Sequence, residues 1–263
     1  MRIILIRGLG RDQLHWAPLL KSLKRTFPGV HIETPDLPGT GILHREKSPR
    51  VLDDYLPFLE HQLSDSNEPA IVMGLSLGGM LALTWASKYP DKFTHAIAIN
   101  SSSNLSFFLK RLFVYKVFRY PGIFFRLSKR MKETAVYQLT CNTRPIDWST
   151  IDFWVDVQKR HPVSPLNQCR QAYAALGFSL PDNLVSSADN LKENKTHSPQ
   201  AAIMYAKGDR MVSPSCSEVM AAYLNAPSYV HSWGGHDLTQ DDPDWVATQL
   251  KHFIEKTSDD SIA

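Results

Sequence analysis

Short apolar runs alternate along this chain with longer segments in which apolar residues recur every three to four positions. Ile3-Ile4-Leu5-Ile6 reads as a strand, Leu14, Leu19, Leu20 and Leu23 mark one side of a helix, and Val30-His31-Ile32 returns to a strand. The rhythm continues with a helix over 51–63, a buried strand at Ala70-Ile71-Val72-Met73, a helix over 79–88 and a strand at Ala96-Ile97-Ala98-Ile99. A strand with one wet face would alternate apolar and polar residues. These do not, so the pattern predicts an α/β fold with a mainly parallel sheet and helices on both faces.

After Asn100 the rhythm breaks. Residues 104–190 read as aromatic-rich helical pieces separated by Pro121, Pro145, Pro162, Pro165 and Pro181. The sheet pattern returns with Ala201-Ala202-Ile203-Met204-Tyr205 and Ser228-Tyr229-Val230-His231, and a helix over 245–254 follows Asp242-Pro243. The predicted organisation is a core of residues 1–103 and 191–263 interrupted by a helical insertion, 104–190. A length of 263 residues suits one principal core of that kind.

Charge and cysteine usage narrow the function classes. The 29 Lys plus Arg and 26 Asp plus Glu give a net charge of +3, too small to point to nucleic acid. Cys141, Cys169 and Cys216 are few, scattered and without a metal-binding spacing, so neither a disulfide framework nor a structural zinc is expected. Only four consecutive apolar residues, Ile3 to Ile6, stand before Arg7, too few for a signal-peptide core, and Lys110, Arg111, Lys116 and Arg119 interrupt the one long apolar stretch. The expectation is a cytoplasmic protein without a spanning helix.

Chemistry concentrates at Gly74-Leu75-Ser76-Leu77-Gly78, between a predicted buried strand and a predicted helix. That is the context of a nucleophile elbow, whose glycines let the backbone turn sharply enough to project the serine hydroxyl. The plain alternative is a Gly-rich loop joining strand to helix. A serine needs a base, and the base needs an orienting acid. His236 and Asp209 follow in that role because each comes just after a predicted strand, where open α/β sheets place their ligands. Asp12 and Asp237 are rival acids. Of the other histidines, His31 and His231 read as strand residues, and the rest, His95 included, as helix or loop residues. An oxyanion needs two backbone N–H donors: Leu77 follows the nucleophile, and Leu9 lies in the first strand-to-helix loop. Gly8-Leu9-Gly10, with Glu33 after the next strand, also imitates a dinucleotide fingerprint, but Gln13 stands where its third glycine belongs.

Together these residues resemble the α/β-hydrolase family. Arg7-Gly8-Leu9-Gly10 with Trp16 is similar to its first loop, Pro35-Asp36-Leu37-Pro38-Gly39 to the loop after the next strand, and the segments around Ser76, Asp209 and His236 to its elbow, acid turn and histidine loop. Three positions depart from it: Arg7 and Thr40 where His is usual, and Ala206 where Gly is frequent. The resemblance implies a serine hydrolase cleaving an ester or thioester through an acyl-Ser76 intermediate, without metal or cofactor. His236 would be the base, with a pKa expected between about 6 and 7. An acyltransferase, a carbon–carbon bond hydrolase and a non-catalytic ligand-binding protein share the same residues. In this family the insertion commonly forms a lid over the acyl pocket. Its first part, 104–132, carries eight basic residues, no acidic one and eight Phe or Tyr, leaving 21 basic and 26 acidic residues elsewhere. Such a segment suits an anionic membrane surface, an anionic acyl group or an acidic acyl-carrier partner; the alternative is a lid whose aromatics pack inward while its cations stay in water.

Overall fold

In the computed structural model, which describes residues 1–112, 128–184 and 198–260, the first strand already shows why its apolar run is unbroken. Ile4 and Ile6 enter one hydrophobic cluster and Ile3 and Leu5 another, on opposite faces of a sheet. Six strands build that sheet: β1 (Arg2–Ile6), β2 (His31–Glu33), β3 (Ala70–Leu75), β4 (Phe93–Ile99), β5 (Gln200–Ala206) and β6 (Ser228–His231). Every pairing is parallel, in the order β2-β1-β3-β4-β5-β6. The chain leaves β1 toward one edge and returns as β3 on its other side. The carboxyl ends of β1 and β3 therefore flank the switch point, where such sheets open a crevice.

The core helices are α1 (Ala17–Thr26), α2 (Leu56–Glu60) and α3 (Leu77–Lys88). A single turn, α4 (Phe108–Arg111), follows β4, and among the described residues three helices come between it and β5: α5 (Lys129–Thr140), α6 (Trp148–Arg160) and α7 (Pro165–Leu176). The chain ends with α8 (Pro214–Leu224), α9 (Leu238–Asp241) and α10 (Pro243–Asp260). Leu81 and Trp85 of α3 and Met220 of α8 pack with Val72 and Ile203 on one face of the sheet. Leu19 and Leu23 of α1 and Leu250 and Phe253 of α10 pack with Met73 and Ile97 on the other. Burying each such side chain stabilises the fold by about 1.5–3 kcal/mol.

Local sequence explains why the insertion divides into separate helices. Ser128, Asp147 and Ser164 each precede one and accept hydrogen bonds from its first-turn N–H groups. Tyr137, Cys141, Ile151 and Trp154 form a small core between α5 and α6.

Three sequence expectations need correction, and one element was not anticipated. The helix predicted over 51–63 is a 3-10 turn, Leu52–Tyr55, followed by the short α2. The helix predicted from residue 79 starts at Leu77, because packing overrides the poor helix propensity of Gly78 and Gly79. His95 lies on β4, whose beginning is masked in sequence by the polar pair Thr94-His95. Helix α8 had no strong periodicity to betray it, since it meets the sheet partly through the small residues Cys216, Ser217 and Ala221. Residues 113–127, with much of the basic aromatic stretch, lie outside the described residues, as does the boundary placed at 190/191. No helix among the described residues is long and apolar enough to cross a membrane.

Candidate active site

β3 ends at Leu75 and α3 begins at Leu77, so Ser76 alone makes the turn. Its φ of 57° lies in the left-handed region, at a cost of about 1–3 kcal/mol for a non-glycine residue. The two flanking glycines are required sterically. A Cβ on Gly74 would sit 2.0 Å from the Gly78 carbonyl oxygen, and one on Gly78 would sit 1.9 Å from that of Ile6. The Ser76 N–H donates to the Ile99 carbonyl at 2.8 Å, and Ser101 Oγ donates to the Ser76 carbonyl at 2.9 Å. These bonds hold the strained turn against β4.

His236 is buried in the loop between β6 and α9, with its Nδ1 2.7 Å from Asp209 Oδ2. The other oxygen of Asp209 accepts from the N–H groups of Met211 at 2.7 Å and Val212 at 2.9 Å. Asp209 is therefore fixed by its own turn before it meets the imidazole. Burial pulls the His236 pKa down, but the charge and hydrogen bond of Asp209, helped by Asp237, outweigh it and hold the pKa above its ordinary value. Both rival acids are engaged elsewhere. Asp237 pairs with Arg7 at 2.5 Å, and Asp12 bonds His15 at 2.8 Å and His161 at 3.2 Å. Burial works against the Asp237 anion, yet Arg7 keeps its pKa below the ordinary carboxylate value.

The loop after β1 packs against the elbow: a Cβ on Gly8 would lie 3.1 Å from the Leu75 carbonyl oxygen. Arg7 is buried, donates to Thr239 Oγ1 at 3.0 Å and lies over the Trp16 ring at 4.6 Å. Side chains of the insertion hold the rest of this loop. Gln171 of α7 accepts the Gly10 N–H at 2.9 Å, and Glu133 of α5 pairs with Arg11 at 2.7 Å. Leu77 is buried at the start of α3, whereas Leu9 is partly exposed. Ser76, Leu9 and His236 all line a cavity of about 180 Å³, walled also by α5, Gln158 of α6 and Gln168 of α7. A larger groove, about 650 Å³, runs past Tyr205, Glu218 and Phe253 and contains none of these residues.

The nucleotide reading loses its acid, because Glu33 is taken up by Arg2 at 2.5 Å and by Ser64 at 2.8 Å. Sequence reasoning missed Asn100. This residue, with φ 47°, donates from Nδ2 to the carbonyls of Gly235 at 3.0 Å and His236 at 2.8 Å, while its Oδ1 accepts the Ala206 N–H at 2.9 Å. It ties the histidine loop to the ends of β4 and β5. Its one sequence signal is an Asn directly after a strand, a residue that tolerates left-handed backbone.

The fold and the strand-end cluster define an α/β hydrolase. Residues 3–249 match the Alpha/beta hydrolase family, and the chain belongs to that family. The Caulobacter segnis protein named "Putative carbamate hydrolase RutD" is 25% identical over 259 residues, covering 96% of this chain and 91% of that one. Among solved structures, the enol-lactonase from Burkholderia xenovorans superposes with a TM-score of 0.70 at 16% identity, over 97% of this chain and 91% of its own. A thermophilic esterase from Thermogutta terrifontis gives 0.65 at 17% identity, over 97% and 90%. At such identities the structural likeness speaks for the fold alone.

Proposed function

We propose that Ser76 is the nucleophile of an ester or thioester hydrolase, with His236 as its base and Asp209 as the acid that orients the base. One observation carries the reading. Ser76, on a strained turn, shares a cavity with a buried histidine whose Nδ1 is held by a buried carboxylate at 2.7 Å. In this mechanism Asp209 fixes the imidazole so that Nε2 takes the Ser76 Oγ proton during attack on the acyl carbon. The developing oxyanion is received by the N–H groups of Leu77 and Leu9. The protonated His236 then gives its proton to the leaving alcohol or thiol, and water repeats the cycle on acyl-Ser76. Helices α5–α7, which wall the cavity, act as the lid that keeps bulk water away.

Exposure to a fluorophosphonate followed by mass spectrometry of the peptides tests this directly. The expected result is a stoichiometric adduct on Ser76 that is lost in Ser76→Ala and strongly reduced in His236→Ala. Labelling that persists in Ser76→Ala, or none on the folded wild type, overturns the assignment. Cavity size supports a short acyl group, since about 180 Å³ is below the range of pockets that take drug-sized ligands.

A further inference from the structure

The cavity beside Ser76 has a mixed lining. Leu75, Leu139 and Met211 are apolar, whereas Arg11, Lys132, Gln158 and Gln168 carry polar groups. Its cations, Arg7, Arg11 and Lys132, outnumber its carboxylates, Glu133 and Asp237. Arg7 is matched by Asp237, and Arg11 by Glu133, whose side chain is 2% exposed. Lys132 has no ion pair among the described residues, so the lining keeps one unbalanced positive charge.

Hydrogen-bond accounting points the same way. Arg11 Nη1 lies 2.7 Å from Glu133 and 3.0 Å from His15 Nε2, and its guanidinium carbon lies 4.2 Å from the centre of the Trp154 ring, so this cation is already engaged and Lys132 is the one left to meet a ligand. Apolar substrate placed here would leave the Lys132 ammonium and the Gln158 and Gln168 amides of the lining dry, which is unfavourable, while an anionic end would satisfy them. At about 30 Å³ per water, the cavity volume equals about six waters and holds a chain of only a few carbons.

On the reading of Ser76 as nucleophile, we propose that the preferred acyl group is short and ends in a carboxylate, received by Lys132 together with Gln158 and Gln168. Its stem lies along Leu75, Leu139 and Met211. The net reaction adds water across the acyl–oxygen or acyl–sulfur bond, releasing a dicarboxylate and the alcohol or thiol, with no other reactant.

Two esters of equal chain length test the proposal: the mono-p-nitrophenyl ester of glutaric acid and p-nitrophenyl valerate, compared by kcat/KM at pH 8 and low salt. The wild type is expected to favour the glutarate ester by about tenfold or more, the effect of one charge-assisted contact. Lys132→Arg should keep that preference, Lys132→Gln should reduce it and Lys132→Glu should abolish it. Lys132 is half-buried and in no ion pair among the described residues, so these variants leave the buried Arg11–Glu133 pair in place. Equal or better use of valerate by the wild type, or a preference unchanged in Lys132→Glu, overturns the proposal. Valerate turnover that disappears in Ser76→Ala without any glutarate preference sinks the carboxylate site and leaves the serine hydrolase standing. Turnover of neither ester overturns the carboxylate proposal, and fluorophosphonate labelling of Ser76 then decides whether the hydrolase reading survives.

Discussion

At His236 two opposed effects act on one imidazole. Burial favours the neutral ring, Asp209 favours the cation, and the cation gains, so the pKa stands above the ordinary value of about 6.5. A base must be neutral to accept a proton. Turnover is therefore expected to fall as pH drops through a midpoint above about 6.5. Asp209→Asn removes the opposing charge at nearly constant shape, which should move that midpoint down while kcat falls by roughly 10³–10⁴. A pH–rate profile of the variant's residual activity checks this, and an unmoved acid limb counts against the assigned pair. Asn100 acts through position alone. Asn100→Ala leaves two buried carbonyls and one N–H without their partner and should cost about 2 kcal/mol or more, measured by urea unfolding. The three proposed reacting residues were legible in sequence because the elbow demands glycines at fixed spacing and because strand ends can be counted along the chain. Asn100 was not, since its partners lie more than 100 residues away and nothing in its neighbours announces them.

Between elements, the contact that matters for the site is the one from the insertion to the loop after β1. Gln171 on α7 reaches Gly10 and, through Nε2, the Pro38 carbonyl at 3.3 Å, so one buried amide joins the loops after β1 and β2. Gly10 closes the peptide that follows Leu9, and the orientation of a proposed oxyanion donor thus depends on a helix far along the chain. Gln171→Ala should lower kcat about tenfold or more with a smaller change in KM, because donor geometry matters most when charge develops. Gln171→Glu keeps the acceptor and should recover more of kcat than of stability; equal kcat losses in the two variants would make Gln171 a packing residue only. The strands, the break after Asn100 and the helices that lie between β4 and β5 were readable from periodicity and prolines. How α7 docks was not, because Gln171 looks in sequence like any polar residue of an amphipathic helix.

For the whole molecule, the parallel sheet separates two histidines that answer to pH in different ways. His236 lies past the carboxyl ends of the strands, whereas His95 sits near the amino end of β4, bonded to Thr94 at 2.9 Å and to Thr257 of α10 at 2.8 Å, with its ring edge-on to Phe253 at 5.1 Å. Burial alone lowers the His95 pKa to about 4. The sign of its effect on stability follows from linkage. The unfolded chain binds a proton below about pH 6.5, the folded chain does not until about pH 4, and stability is lost as pH falls through that window. The difference amounts to about 3 kcal/mol by pH 4. His95→Gln can keep a hydrogen bond to Thr257 but does not titrate, so urea unfolding at pH 7 and pH 4 should show the wild type losing about 3 kcal/mol more than the variant. Equal losses would mean that His95 is protonated within the folded sheet. The same variant should keep the wild-type acid limb in its pH–rate profile, because the group that governs turnover lies at the opposite end of the sheet. Stability and turnover then decline on acidification for separate reasons, and only the first should respond to a change at His95.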